Sequence, residues 1–134
     1  MKFEIFNKDF FEFPNLSKVL EKLFPASNKM VISIIFLSEL EMKELNLRLR
    51  KKDEVTDVLS LKFSEEIGEV YIASEYIKKN SGEFEREVIR MIIHGTLHIL
   101  DYEHEGYFYE DNVKEEMFKI QEKYLKEFYD ILEK

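Results

Sequence analysis

The sequence predicts an α+β domain in which a small mixed β-sheet of about four strands packs against a layer of helices. Strand-like and helix-like segments are interleaved in the order β-α-β-α-β-β-α-α-α. Two strand-like segments follow one another directly in the middle, which indicates a hairpin and favours a mixed sheet covered by helices. With 134 residues, 45% apolar and 36% charged, the chain is suited to one domain, residues 1–134, with its own core.

The first half of the chain supplies two strands and two helices. Residues 2–6, "KFEIF", alternate between apolar and polar side chains, as a half-buried strand does. Residues 16–24 repeat apolar side chains at helical spacing between Pro14 and Pro25, which predicts an amphipathic helix. Residues 30–36, "MVISIIF", are typical of a buried strand. The "SELE" sequence that starts at Ser38 is a capping box, so a helix should run from about 39 to 49.

The second half supplies the hairpin and three helices. Residues 56–63 and 68–73 predict paired strands across "SEEIG", and Ser74 is expected to cap a helix over 75–80. Residues 83–100 predict a long central helix with acidic residues in its first turns, where the helix dipole favours them. The last helix should span 111–132. Its apolar side chains recur every three or four residues, at Val113, Met117, Ile120, Tyr124, Phe128 and Ile131.

The composition excludes several classes of protein. The absence of cysteine excludes a disulfide framework and cysteine-ligated zinc. No apolar run approaches the roughly 18 residues of a membrane span, and the N-terminal sequence lacks the pattern of a signal peptide. We therefore expect no membrane association and a cytoplasmic location. The net charge of −8 argues against a protein that coats nucleic acid, but it leaves room for a local basic groove.

All three histidines of the chain lie in "IIHGTLHILDYEHE", residues 92–105. His94 and His98 are four residues apart on the predicted central helix, so they share one face and can bind the same ion. His104 can join them if the chain turns back where the helix ends. Three imidazoles leave one position of a tetrahedral zinc ion open, which is typical of a catalytic rather than a structural site. The expected cofactor is one zinc ion, although nickel, cobalt or iron also suit imidazole.

Gly95 separates this pattern from the zinc proteases with the same histidine spacing. In the H-E-x-x-H-x-x-G-x-x-H signature, the residue after the first histidine is the glutamate that acts as general base. Here that residue is Gly95, which cannot accept a proton. A metalloprotease remains possible only with a base recruited from elsewhere.

A basic segment precedes the hairpin. Its cations are Arg48, Arg50, Lys51 and Lys52. A solvated helix end, where cations complement the dipole, is one explanation. The other is phosphate binding, because the planar fork of an arginine binds two anionic oxygens at once. Beside a metal site, such an arginine favours phosphodiester over amide hydrolysis.

Together, the histidine and basic segments resemble the YbeY family of bacterial endoribonucleases. The family's zinc motif, H-G-x-L-H-L-x-G-(Y/H)-D-H, corresponds to "HGTLHILDYEH". Its upstream pattern, approximately L-N-x-x-(Y/F)-R-x-x-D-x-x-T-(D/N)-V-L-S-F, corresponds to "LNLRLRKKDEVTDVLSL", and "GEVYIA" resembles its G-D-(I/V)-x-(I/V) strand. The upstream matches are Leu45, Asn46, Arg50, Asp53, Thr56, Asp57, Val58, Leu59 and Ser60.

The resemblance implies an α+β fold and a metal-dependent endoribonuclease that acts on ribosomal RNA in ribosomal subunits, in rRNA maturation and ribosome quality control. It also implies one metal, usually zinc, held by His94, His98 and His104, and a functionally important arginine at Arg50. Three positions depart from the family: Asp101 replaces the glycine before the tyrosine, Glu103 replaces an aspartate, and "SLKF" ends the strand in place of "SF-P-F".

The resulting hypothesis gives each basic residue a role on RNA. Arg50 holds the scissile phosphate, whereas Arg48, Lys51 and Lys52 line the approach path of the RNA. Arg90, together with Arg86, faces that path from the histidine helix, with an ion pair to Glu87 as the alternative for Arg90. A preference for single strands is expected, since sequence-specific RNA contacts usually need unstacked bases.

Two further alternatives stay open. One is a non-catalytic ribosome-assembly or RNA-binding factor whose structural metal is closed by Asp101, Glu103 or Glu105. The other is a helical scaffold that binds a partner protein through its acidic surface. The sequence identifies no protein partner.

Overall fold

The computed structural model describes residues 1–25, 29–100 and 110–133, and the side chains of 110–115 are outside this description. The order of elements is the one that the sequence predicts, with one additional 3-10 turn at Lys8–Phe10. The strands are β1 (Lys2–Phe6), β2 (Val31–Phe36), β3 (Val58–Lys62) and β4 (Ile67–Ile72). The helices are α1 (Leu16–Leu23), α2 (Glu39–Arg50), α3 (Ser74–Asn80), α4 (Phe84–Ile99) and α5 (Glu110–Leu132).

The four strands form one mixed sheet in the order β1-β2-β4-β3. β1 pairs parallel with β2, and β2 pairs parallel with β4. β3 and β4 form the expected antiparallel hairpin, with Leu59 opposite Tyr71. The α+β class and the mixed sheet are therefore confirmed. The hairpin leaves β3 at one edge of the sheet, and this edge positions the candidate site.

Helices cover the sheet on both faces. Alternate residues of β2, Ile32, Ile34 and Phe36, are completely buried in the main core with apolar residues of α1, α4 and α5. The opposite face carries a smaller apolar cluster in which Met42 of α2 packs with Leu59 of β3. Helix α4 therefore lies on one face of the sheet and α2 on the other, and the edge strand β3 contacts both helices.

A local sequence signal fixes the start of α2, whereas a long-range contact is found at the start of α3. The capping box at Ser38 is present: its hydroxyl accepts from the Glu41 amide, and the Glu41 carboxylate accepts from the Ser38 amide. The expected cap at Ser74 is wrong. Helix α3 already includes Ser74, whose buried hydroxyl donates to the carbonyl of Phe10 at 3.1 Å. A long-range partner therefore replaces the local capping bond.

Across the part of the chain described here, no helix is both long enough and apolar enough to cross a membrane.

Candidate active site

The two histidines of α4 face each other one turn apart. Their Nε2 atoms are 2.7 Å apart, and their rings lie edge to face with centroids 4.3 Å apart. Both side chains are half-buried, and both line a cavity that opens to solvent. The i, i+4 spacing therefore brings the two ring nitrogens together as the sequence predicts.

The other ring nitrogen of His94 contacts helix α5. His94 Nδ1 lies 2.7 Å from the amide oxygen of Gln121, whose side chain is only 5% exposed. The amide nitrogen of Gln121 in turn donates to the carboxylate of Glu122 at 3.2 Å. A histidine that binds a metal through one ring nitrogen usually donates a hydrogen bond from the other ring nitrogen to an oxygen.

The donor set fits a metal ion of the zinc type. Neutral imidazole binds such ions through a ring nitrogen, and the two Nε2 atoms, 2.7 Å apart, are close enough to share one ion. Among the residues that the structure describes, no cluster of three or more His, Cys, Asp or Glu side chains could hold an ion. His104, the third predicted ligand, lies outside the described residues, as do Asp101 and Glu103 of the predicted turn. The described part of the site thus contributes two candidate ligands and one hydrogen-bond partner of His94.

A cavity of about 440 Å³ joins the histidine pair to the basic segment. It lies at the edge strand β3, between the end of α2 and helix α4. Arg50 lines it from the end of α2, although 44 residues separate Arg50 from His94. The other described residues that line it are Thr56, Asp57, Val58, Leu59 and Ser60. The cavity is therefore lined by one guanidinium group and two imidazole rings.

Hydrogen bonds hold both ends of the loop that follows Arg50. Helix α2 ends at Arg50, and the residue after it, Lys51, adopts the left-handed conformation with φ 61° and ψ 30°. The buried side chain of Asn46 donates to the carbonyl of Glu54 at 2.9 Å. Further along, the carbonyl of Asp57 accepts from the amide of Ala73 at 3.0 Å. These bonds hold the chain that carries Arg50 against the sheet edge.

A larger cavity of about 590 Å³ lies elsewhere, around residues 5–18 at the start of α1. Its described lining carries no histidine and no acidic residue other than Glu12. Its size alone therefore does not make it a site for metal-dependent chemistry.

The other predicted RNA contacts have different positions. Arg48, Lys51 and Lys52 are exposed at the end of α2, beside the cavity and not among its described lining residues. The guanidinium of Arg86 lies over the ring of Tyr129, with 5.1 Å to the centroid. The RNA contacts proposed for these side chains stay predictions.

Arg90 connects α4 to α5 through two carboxylates. It pairs with Glu87, and its Nε and Nη2 atoms donate to the two oxygens of Glu122 at 2.9 and 3.2 Å. Burial opposes the charged form of Glu122, but the bonds from Arg90 and Gln121 outweigh it and lower the pKa of the carboxyl below its ordinary value. The alternative interpretation of Arg90, an ion pair with Glu87, is confirmed, and its RNA contact stays a prediction.

Gly95 lies on the face of α4 that packs against the sheet. A Cβ atom at this position would lie 2.6 Å from Cγ1 of Val70 in β4 and 3.4 Å from Cγ2 of Val58 in β3. Real side chains do not approach so closely, so the helix can lie this near the sheet only with glycine here. The position that carries the general base in the zinc proteases is therefore inside the packed layer and not in the cavity.

Gln121 is the site residue that the sequence interpretation missed. It lies on the apolar stripe of α5, four residues after Met117 and four before Leu125, both of which are buried. A polar side chain on such a stripe requires a buried partner, because an unpaired amide in a core is costly. That signal is present in the sequence, but it does not reveal that the partner is His94.

Comparisons with known proteins agree with this architecture. The family model described as Endoribonuclease YbeY matches residues 7–129. Proteins named Endoribonuclease YbeY include one from Thermotoga petrophila, 38% identical over 122 residues that cover 84% of this chain and 79% of that protein. Another, from Phytoplasma mali, is 38% identical over 136 aligned positions, 94% of this chain and 88% of the relative.

A solved structure has the same fold. The solution structure of TM1509 from Thermotoga maritima superposes with a TM-score of 0.69 at 30% sequence identity, and the match covers 98% of this chain and 91% of the other. Given the match of the family model to most of the chain and the extent of these similarities, the chain belongs to the endoribonuclease YbeY family.

Proposed function

We propose that this protein is a metal-dependent endoribonuclease that hydrolyses single-stranded RNA, with ribosomal RNA in ribosomal subunits as its substrate and the cytoplasm as its location. The observation that most supports the proposal is that Arg50, His94 and His98 line one cavity. Cleavage of RNA is the activity after which the family is named. The assignment to rRNA maturation and ribosome quality control rests on the resemblance of the two sequence motifs.

Arg50 is the residue that we expect to hold the scissile phosphate. Its planar guanidinium can donate two parallel hydrogen bonds to two phosphate oxygens, and it keeps its charge at any physiological pH. Arg50 is exposed at the end of α2, and hydrogen bonds hold the loop after it, so the backbone that carries its guanidinium has a defined position beside the cavity. It binds the phosphate of the substrate and offsets the charge that develops there during hydrolysis.

His94 and His98, with His104, are the residues that would hold the metal. Zinc suits three imidazoles best, and other divalent transition metals are also compatible with them. When bound, such an ion lowers the pKa of a coordinated water to about 7 and so supplies a nucleophile at neutral pH. Both histidines are half-buried at the cavity, and their Nε2 atoms lie 2.7 Å apart.

Local charge can attract RNA to this acidic protein. Arg48, Lys51 and Lys52 extend the positive charge of Arg50 along the exposed end of α2. Interactions of this kind act over about 8 Å at physiological salt, so the nearby cations matter more for a phosphate in the cavity than the net charge of −8 does. We propose that these residues guide a single strand toward the cavity.

Substitution of Arg50 by alanine tests the proposal. We expect kcat/KM for cleavage of a single-stranded RNA to fall about 10²- to 10³-fold, the cost of removing one donor that stabilises transition-state charge. Arg50→Lys should recover part of the loss, because it keeps the charge without the fork. Cleavage is measured on short labelled RNA, with zinc content determined on the same preparations.

Lys43→Ala is the matched control, since it removes an exposed cation from the same helix, away from the cavity. It should leave cleavage nearly unchanged. Unaltered cleavage and unaltered RNA binding by Arg50→Ala would contradict the phosphate role of Arg50.

A further inference from the structure

We infer that Gln121 is a positioning residue for the histidine pair: it fixes His94 as the Nδ1–H tautomer and so directs the lone pair of His94 Nε2 toward the metal. The metal itself belongs to the proposed function, and the inference rests on that function for its consequence. The hydrogen bond between Gln121 and His94 can be tested without metal.

The orientation of the Gln121 amide follows from its second partner. A carboxylate only accepts hydrogen bonds, so the amide atom 3.2 Å from the Glu122 carboxylate must be the nitrogen. The amide oxygen is then the atom that faces His94, at 2.7 Å. Arg90 keeps Glu122 in its ionised form through two parallel hydrogen bonds, at 2.9 and 3.2 Å.

The tautomer of His94 follows from the orientation of the amide. An amide oxygen has no hydrogen to donate, so Nδ1 of His94 must carry the proton of their 2.7 Å bond. In the neutral ring, the Nε2 atom is then the one with a lone pair, and this atom lies 2.7 Å from Nε2 of His98. The hydrogen bonds from Arg90 to Glu122, from Gln121 to Glu122 and from His94 to Gln121 therefore leave the lone pair of the neutral His94 ring on Nε2, the atom proposed to bind the metal.

The position of Gln121 makes this bond rigid. Its side chain is 5% exposed and lies between the buried residues Met117 and Leu125 on α5. Leucine or methionine would satisfy the apolar stripe without the desolvation of an amide, which is costly when unpaired. The polar side chain is compatible with this position because both ends of its amide are bonded, to His94 and to Glu122.

The test compares the full chain with Gln121→Met, which keeps the length of the side chain and removes both hydrogen-bonding atoms. Long-range ¹⁵N–¹H correlation spectra of metal-free protein, recorded where the imidazoles are neutral, report which nitrogen of each ring carries the proton. We expect His94 of the unaltered chain to be the Nδ1–H tautomer and the variant to show a mixture of tautomers. Zinc dissociation constants, from competition with a chelator, should rise about 10- to 100-fold in the variant.

Lys123→Met serves as the control because it makes a similar change at an exposed position of the same helix. Its His94 tautomer and zinc affinity should equal those of the unaltered chain. An Nε2–H tautomer of His94 in the unaltered chain would overturn the inference, and so would a Gln121→Met variant whose zinc affinity stays within twofold of the original.

Failure of the proposed function gives a different result. If the unaltered chain binds no zinc, or cleaves RNA equally well without it, the proposed metal chemistry is contradicted. The spectrum of the metal-free protein still decides whether Gln121 sets the tautomer of His94, because that measurement contains no metal.

Discussion

Replacing His98 by alanine is expected to abolish zinc binding and RNA cleavage while the domain stays folded. His98 supplies one of the two Nε2 atoms that converge at the cavity. Loss of a partner that only orients a ligand weakens metal binding about 10- to 100-fold, so loss of the ligand itself should exceed that range. The measurements are zinc per chain after dialysis and the cleavage rate on single-stranded RNA.

Folding of the His98→Ala protein should be nearly normal, because the side chain is half-buried at the cavity and outside the main core. Circular dichroism and the melting temperature of the metal-free proteins check this. His104→Ala should give the same loss of zinc, since the sequence predicts it as the third ligand. A His98→Ala protein that has lost its zinc but cleaves RNA at the original rate would exclude metal-dependent hydrolysis at this site.

Introducing glutamate at Gly95 is expected to unfold the domain and not to create a protease. The substitution creates the H-E-x-x-H part of the protease signature, but the Cβ of the new side chain would lie 2.6 Å from a methyl group of Val70, inside the helix–sheet contact. Burial of an unpaired charge costs several kcal/mol, and whole domains are stable by only about 5–15 kcal/mol. Circular dichroism should show loss of the cooperative transition, with no peptide hydrolysis.

Gly95→Ala gives a graded version of the same test. Overpacking costs about 1–3 kcal/mol, whereas alanine gains about 1 kcal/mol over glycine in a helix, so the net loss of unfolding free energy should be modest. Val70→Ala removes the two methyl groups nearest to the new Cβ, at 2.6 and 3.2 Å, and leaves Cγ2 of Val58 at 3.4 Å. The double variant should therefore show a favourable coupling of about 1 kcal/mol or more in a double-mutant cycle.

Gly82 provides the matched control, because a Cβ atom there would meet nothing within 4 Å. Gly82→Ala should change the free energy of unfolding by less than about 0.5 kcal/mol. Additive effects of Gly95→Ala and Val70→Ala, or a folded Gly95→Glu protein, would contradict the close approach of α4 to β4.

The sequence predicts most of the fold because its signals are local. Apolar periodicity and the capping box at Ser38 predict the elements and, within a few residues, their ends. The strand order β1-β2-β4-β3 is not predictable in this way, since periodicity reports burial and carries no information on which strands are neighbours. Ser74 shows the same limit, because its hydroxyl bonds to Phe10, 64 residues away.

The residues of the candidate site are likewise predictable from the sequence where their arrangement is local, and not where it depends on packing. The pairing of His94 with His98 follows from helical spacing alone. The position of Arg50 on the same cavity depends on how α2 and α4 pack on opposite faces of the sheet beside β3, and the sequence points to Arg50 only through its chemistry and the family resemblance. Gln121 was missed because its role depends on the packing of α5 against α4, which brings together residues 27 positions apart.

Titration of the metal-free protein with zinc, followed by the initial rate of single-stranded RNA cleavage, tests the central claim most directly. The claim is that one ion at the histidine pair supports cleavage of a phosphodiester held by Arg50. We expect no cleavage without metal, a linear rise in rate, and a plateau at one zinc ion per chain. Full cleavage by the metal-free protein, unchanged on addition of zinc, would contradict the claim.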